Sequence, residues 1–279
     1  MQKLIGDLVV DVFPPEFAKF KAPLVLVHGL WGTSSCWAAW ANHFSNLGWE
    51  CWAINFKGRP NENQRELLAA LTMNDCRQDL LKTIRAAPEP PIIIAHGFGA
   101  LIAFQAATQE NPPALVLLSP VSSDEPKPSP SKALRLLRIK YSPLLWLGRP
   151  FRLQDKDYRQ VLLAAVLQNR QPEILRTLVP ESARLMREFF ARTTALSPGD
   201  VQSPVLLLGG SDDRVVATAR LRETARKLGA EFLEYPGHGH WMMGEKDGEK
   251  IVRDIHRWLV QTLGEKILLA DFPQSSREL

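Results

Sequence analysis

Residues 91 to 107, PIIIAHGFGALIAFQAA, run from a buried-strand pattern through a glycine-containing corner into an apolar helical pattern. A serine or cysteine in the middle of this corner would offer a hydroxyl or thiol for nucleophilic attack. Here that residue is Gly97. A hydroxyl is a poor nucleophile at neutral pH until an imidazole takes its proton, and a carboxylate must fix the imidazole tautomer. Backbone N–H groups then hold the oxyanion, a contribution of about 3–4 kcal/mol per donor in favourable cases. This corner has no hydroxyl, so any chemistry there runs without an attacking side chain.

The elements that must position such groups are legible in composition and pattern. The chain has 279 residues, 45% apolar and 23% charged, enough for a large core in one α/β domain with an insertion or in two domains. The longest apolar runs, such as PALVLLSPV and PVLLLGG, fall short of the roughly 20 residues that span a bilayer. Asp7 and Asp11 interrupt the N-terminal apolar stretch, and no small-residue cleavage signal follows, so no secretory leader is expected. Cys36, Cys51 and Cys76 form neither metal spacing nor an even disulfide set, which favours a reducing cytoplasm. The net charge of +4 is local: residues 121–200 hold 14 Lys and Arg against 8 Asp and Glu. No nucleic-acid signature accompanies it.

Val-, Ile- and Leu-rich runs alternate with helical patterns, the arrangement of a mostly parallel sheet flanked by helices. Strands are expected at 24–29, 49–56, 91–97, 114–120, 204–210 and 230–237. Helices are expected in CWAAWANHFSNLG, ALIAFQAATQE, ATARLRETARKLG and GEKIVRDIHRWLVQTLG; in the last, Ile251, Ile255, Trp258, Leu259 and Leu263 share one stripe. Prolines 126, 128 and 130 mark a linker. Helix-like segments then run without strand pattern to Pro198 and Gly199. The expected organisation is a core of 1–120 and 201–279 with a helical cap at 121–200. The segment SKALRLLRIKYSPLLWLG mixes apolar and basic residues; it is read as a lid over a pocket, with an interfacial membrane helix as the other reading.

Four motifs resemble the α/β-hydrolase superfamily, over nearly the whole length and least clearly in the cap. VHGLWGTSSCW is similar to its His-Gly loop, which implies an oxyanion-hole N–H at Leu30. AHGFGA resembles the nucleophile elbow G-x-S-x-G and implies the second donor at Phe98, with Ala95 and Ala100 replacing common glycines. LLLGGSDDRVV resembles the acid loop and implies Asp213; PGHGHW resembles the histidine loop and implies His240 as base. The order 97, 213, 240 matches the superfamily. NFKGRP replaces a frequent Asp-x-x-Gly-His-Gly loop, so Asn55 and Arg59 change the polarity of that rim.

The resemblance implies an enzyme acting on a small hydrophobic carbonyl or acyl compound, His240 and Asp213 serving as general base without a serine. Two other readings stay open: a pseudoenzyme that binds a ligand or partner, and an esterase or thioesterase disabled by glycine at its nucleophile position. Trp31, Trp241 and Met242, with Phe98, imply an apolar pocket. Asp212 and Asp124 are alternative acids, Cys36, Ser34 and Ser35 alternative nucleophiles, and His28 and His96 loop-packing residues. His238 and His240 lack a third metal ligand, and GLWGTS lacks the P-loop lysine. No metal, organic cofactor, nucleic-acid partner or stable membrane insertion is expected.

Overall fold

In the computed structural model, residues 1–59, 64–121, 131–191, 199 and 201–269 are described. Strands β1 (Gln2–Ile5), β2 (Leu8–Phe13), β3 (Leu24–Val27), β4 (Cys51–Ile54), β5 (Ile92–His96), β6 (Leu115–Leu118), β7 (Val205–Gly210) and β8 (Glu231–Tyr235) form one sheet. Its order is β1-β2-β4-β3-β5-β6-β7-β8. The β1–β2 and β2–β4 pairings are antiparallel, and those from β4 to β8 are parallel. All six expected strands are present, each slightly shorter than its apolar run. The β1–β2 hairpin was not expected, although β2 alternates buried Leu8, Val10 and Val12 with half-buried Val9, Asp11 and Phe13, the period-two pattern of a strand.

The helices of the sheet region are α1 (Ala38–Asn46), α2 (Arg65–Ala70), α3 (Met73–Arg85) and α4 (Phe98–Glu110). Between β6 and β7 lie α5 (Lys132–Lys140), α6 (Ser142–Leu147), the single turn α7 (Asp155–Asp157), α8 (Gln171–Thr177) and α9 (Ala183–Ala191). The chain closes through α10 (Thr218–Leu228) and α11 (Gly248–Leu263). Strand β3 is buried at every residue, and its side chains divide by alternation. Leu24 and Leu26 join Trp40, Phe44, Ile251 and Ile255 of α1 and α11, while Val25 and Val27 join Leu80, Leu81 and the apolar residues of α4. Both faces of the sheet are therefore covered, which is why the strands read as continuous apolar runs.

The expected α11 stripe holds, with Ile251, Ile255, Trp258 and Leu259 buried. Residues 122–130, including Asp124 and the three linker prolines, lie outside the described residues. No described helix is long and apolar enough to cross a membrane.

One buried carboxyl ties fold to pH. Asp79 of α3 is 1% exposed and accepts the Lys57 N–H at 3.0 Å, with Lys57 Nζ 3.9 Å away. Burial pushes it up to about 6, outweighing the Lys57 bond and charge that pull it down. A carboxyl raised in the fold is most favourable when protonated. The stability it confers is complete below the unfolded value near 3.8 and is lost as pH rises through about 6. Asp79→Asn keeps the acceptor without the charge. It should gain about 3 kcal/mol over the unmutated chain between pH 4 and pH 7, from about 1.4 kcal/mol per pKa unit. Urea unfolding across that range checks this; a pH-independent difference would refute it.

Candidate active site

The site is assembled where β5 turns into α4. Gly97 joins them with φ 56° and ψ −116°, a backbone conformation in which a side chain is strained by about 1–3 kcal/mol. Its N–H bonds the Leu118 carbonyl at 2.9 Å. Two residues on, a Cβ at Gly99 would lie 2.3 Å from the His28 carbonyl oxygen, so α4 can approach β3 only with glycine there. At Gly97 the case differs: a Cβ would meet only the His240 ring, with Nε2 at 3.3 Å. The imidazole thus faces the position that a nucleophile would occupy.

His240 is held by two neighbours, Asp213 and His96. Its Nδ1 lies 2.9 Å from Asp213 Oδ2, while Asp213 Oδ1 accepts the Val215 and Val216 N–H groups at 2.7 and 3.0 Å. Burial would raise the Asp213 carboxyl, but the His240 charge and bond, with these amides, hold it below its ordinary value. An ionised Asp213 can only accept, so Nδ1 carries a proton; in the neutral form of the ring the lone pair is on Nε2, which faces Gly97. His96 Nε2 donates to the His240 carbonyl at 2.8 Å. Burial, then the His240 charge, drive His96 down to about 3, so it stays neutral. Glu245, buried, takes the Gly239 N–H at 2.8 Å and lies 3.1 Å from His238 Nδ1.

On the opposite wall, Trp31 has φ 60°. Its N–H donates to Glu181 Oε2 at 2.9 Å and its carbonyl accepts from Val179 at 2.9 Å, so residues between β6 and β7 over-determine the loop. Glu181 Oε1 accepts from Arg59 Nη2 and from Ser182 N–H, and Arg59 Nη1 donates to the Gly32 carbonyl at 2.9 Å. Both charges are buried. Arg59 is therefore no exposed rim residue: it cross-links the His-Gly loop to the segment expected to be the cap.

These walls enclose a cavity of about 30 Å³. Leu30, Trp31, Gly97, Phe98, His240 and Trp241 line its floor, and Leu134, Leu162 and Phe189 close it from the helices between β6 and β7. Phe98 is the first residue of α4, where an N–H has no intrahelical acceptor. The space admits water.

Other expected residues fall elsewhere. Met242 is buried but is not among the cavity's walls; it begins a short 3-10 turn, Met242–Gly244, packed in the core. Asp212 is exposed and bonds Ser211 Oγ at 2.8 Å, leaving Asp213 as the carboxylate on His240. Ser34 bonds Asp11 and accepts from Asn55 Nδ2 at 3.0 Å, Ser35 bonds Thr33 Oγ1 at 2.7 Å, and burial pushes the Cys36 thiol well up. Ser34–Trp37 form a 3-10 turn capped by Thr33, which accepts the Ser35 N–H. Among the described residues no group of three His, Cys, Asp or Glu could hold a metal ion.

A glycine corner after β5, a carboxylate after β7 and an imidazole after β8 follow the chain order of the α/β-hydrolase fold. The chain belongs to the alpha/beta hydrolase family, whose model matches residues 24–254. It is similar to a monoacylglycerol lipase from Paleococcus ferrophilus, at 19% identity over 92% of this chain and 99% of that one, TM-score 0.65. A soluble variant of monoglyceride lipase from Saccharomyces cerevisiae, bound to a substrate analogue, matches at 15% identity over 94% of each chain, TM-score 0.70. A thermophilic esterase from Thermogutta terrifontis matches at 17% identity over 91% and 94%, TM-score 0.67. At these identities the likeness concerns the fold.

Two variants test this geometry. Gly97→Ser should place its Oγ within reach of His240 Nε2 at a strain of about 1–3 kcal/mol. A fluorophosphonate probe should then label the variant, not the unmutated chain, and His240→Ala should abolish the labelling; an unlabelled, folded Gly97→Ser protein contradicts the arrangement. Glu181→Gln leaves Arg59 buried without its counter-charge and should lower stability by about 3–5 kcal/mol, read as urea unfolding.

Proposed function

We propose that the protein hydrolyses a small hydrophobic acyl compound by general-base attack of water, with no covalent intermediate. The observation that carries this reading is His240 Nε2, which faces the Gly97 position across a cavity that admits water. In this scheme Nε2 takes a proton as the water oxygen bonds to the carbonyl carbon. The carbonyl π pair moves to oxygen, which the N–H groups of Leu30 and Phe98 hold. Collapse breaks the bond to the leaving group, and the imidazolium returns its proton there. Asp213 stabilises the imidazolium and remains ionised throughout.

The segment 121–200 serves as the cap that excludes bulk water, and Trp31, Phe98 and Trp241 select for apolar groups. The lipase and esterase names of the fold neighbours make acyl esters the first compounds to test. Chromogenic short-chain esters should be turned over steadily, without a burst of acyl-enzyme. His240→Ala should lower the rate by about 10²–10⁴-fold, the usual worth of a positioned base. Equal rates from both folded proteins would leave a ligand-binding role in its place; a burst would show a covalent nucleophile. His28 and His96, both held near 3, first by burial and then by neighbouring charge, do not titrate in the neutral range, so a neutral inflection in the rate profile would not be theirs.

A further inference from the structure

Helices α5 and α6 carry two apolar faces. The inner one, with Leu137, Tyr141 and Leu145, is buried. The outer one exposes Trp146 at 85%, Ile139 at 70%, Leu136 at 59% and Leu147 at 56%. On α5, at about 100° per residue, Lys132, Arg135 and Ile139 fall opposite Leu137, and Leu136 lies to one side. Residues 131–150 contain five Lys and Arg and no Asp or Glu; of the five, Lys140 is paired with Asp157 at 2.6 Å. Of the eight tryptophans, Trp146 stands alone in being exposed; the other seven are 7% exposed or less.

We infer that this face docks on an anionic lipid bilayer. The outward aliphatic and indole groups would sink to the headgroup–acyl boundary, where tryptophan is favoured, while Lys132, Arg135, Arg138 and Arg149 meet anionic headgroups. Charge complementarity selects this occupant: one-signed cations among apolar residues match an anionic, fluid surface. Neither α5 nor α6 is long enough to span, so the mode is peripheral. Docking does not depend on what chemistry the cavity performs.

The test is flotation of the whole chain with vesicles of phosphatidylcholine, alone or doped with phosphatidylglycerol, alongside tryptophan emission. The expected result is partition into the anionic vesicles with a blue shift, weakened by salt, and no shift in the Trp146→Ser variant. Lys132→Gln with Arg135→Gln should weaken partition about 25-fold, about fivefold per charge. Ile139→Ser with Trp146→Ser should abolish it without lowering Tm. Equal partition into both vesicle types, or double variants that bind like the unmutated chain, overturns the proposal. So does self-association abolished by Trp146→Ser without vesicle binding, which would make the face a contact between copies.

Discussion

A carboxylate taken out of water must be compensated by charge and hydrogen bonds, and at Asp213 that requirement organises the site. Both oxygens are used: Oδ1 by two backbone amides and Oδ2 by His240 Nδ1. Because the carboxylate fixes the proton on Nδ1, Nε2 is left as a base, and the His96 bond to the His240 carbonyl holds the ring's backbone in place. Such a buried pair is weak evidence for stability, since apolar packing of similar volume often does as well. A strongly oriented acid–base pair whose imidazole lines a cavity points instead to a functional site.

The parallel sheet and the principal pair were legible because each rests on local pattern. Apolar runs give β3 to β8, and glycine-rich turns next to Asp213 and His240 mark where strands deliver side chains. Glu181 and Arg59 were not legible as partners: they are 122 positions apart, and Glu181 reaches Trp31 across 150. No periodicity links such residues. Glu245 was missed for a different reason. It lies six residues beyond Gly239 in an irregular turn, where spacing has no fixed geometric meaning. Met242 misled by adjacency, since a 3-10 turn carries the chain into the core directly after Trp241. The β1–β2 hairpin pairs antiparallel at the sheet's margin, outside the strand–helix alternation that organises the rest.

The α5–α6 segment shows a limit of another kind. A lid helix and an interfacial helix both present apolar stripes with basic residues, and composition cannot separate them. Packing separates them residue by residue: Leu134 walls the cavity and Leu137 is buried, while Leu136 and Ile139 are exposed. Both readings of this segment therefore have their own side chains, because neighbouring positions on a helix point about 100° apart.

Gly97 sets the reach of the chemistry. Relaxed at φ 56°, glycine avoids the strain a serine would carry there, so the fold gains what the nucleophile loses. Removing the serine of a working triad lowers turnover by about 10⁶, and the residual binding and oxyanion contributions leave about 10³–10⁴ over water. A general base adds to that remainder without restoring the covalent route. Under the proposed scheme, the compounds turned over at a useful rate would be those with electrophilic carbonyls and good leaving groups, because the missing barrier reduction must then come from the substrate. The enclosed cavity acts in the same direction. Leu134, Leu162 and Phe189 wall it with apolar side chains, and in such low-dielectric surroundings each hydrogen bond to the oxyanion of the proposed scheme would be stronger than in solvent.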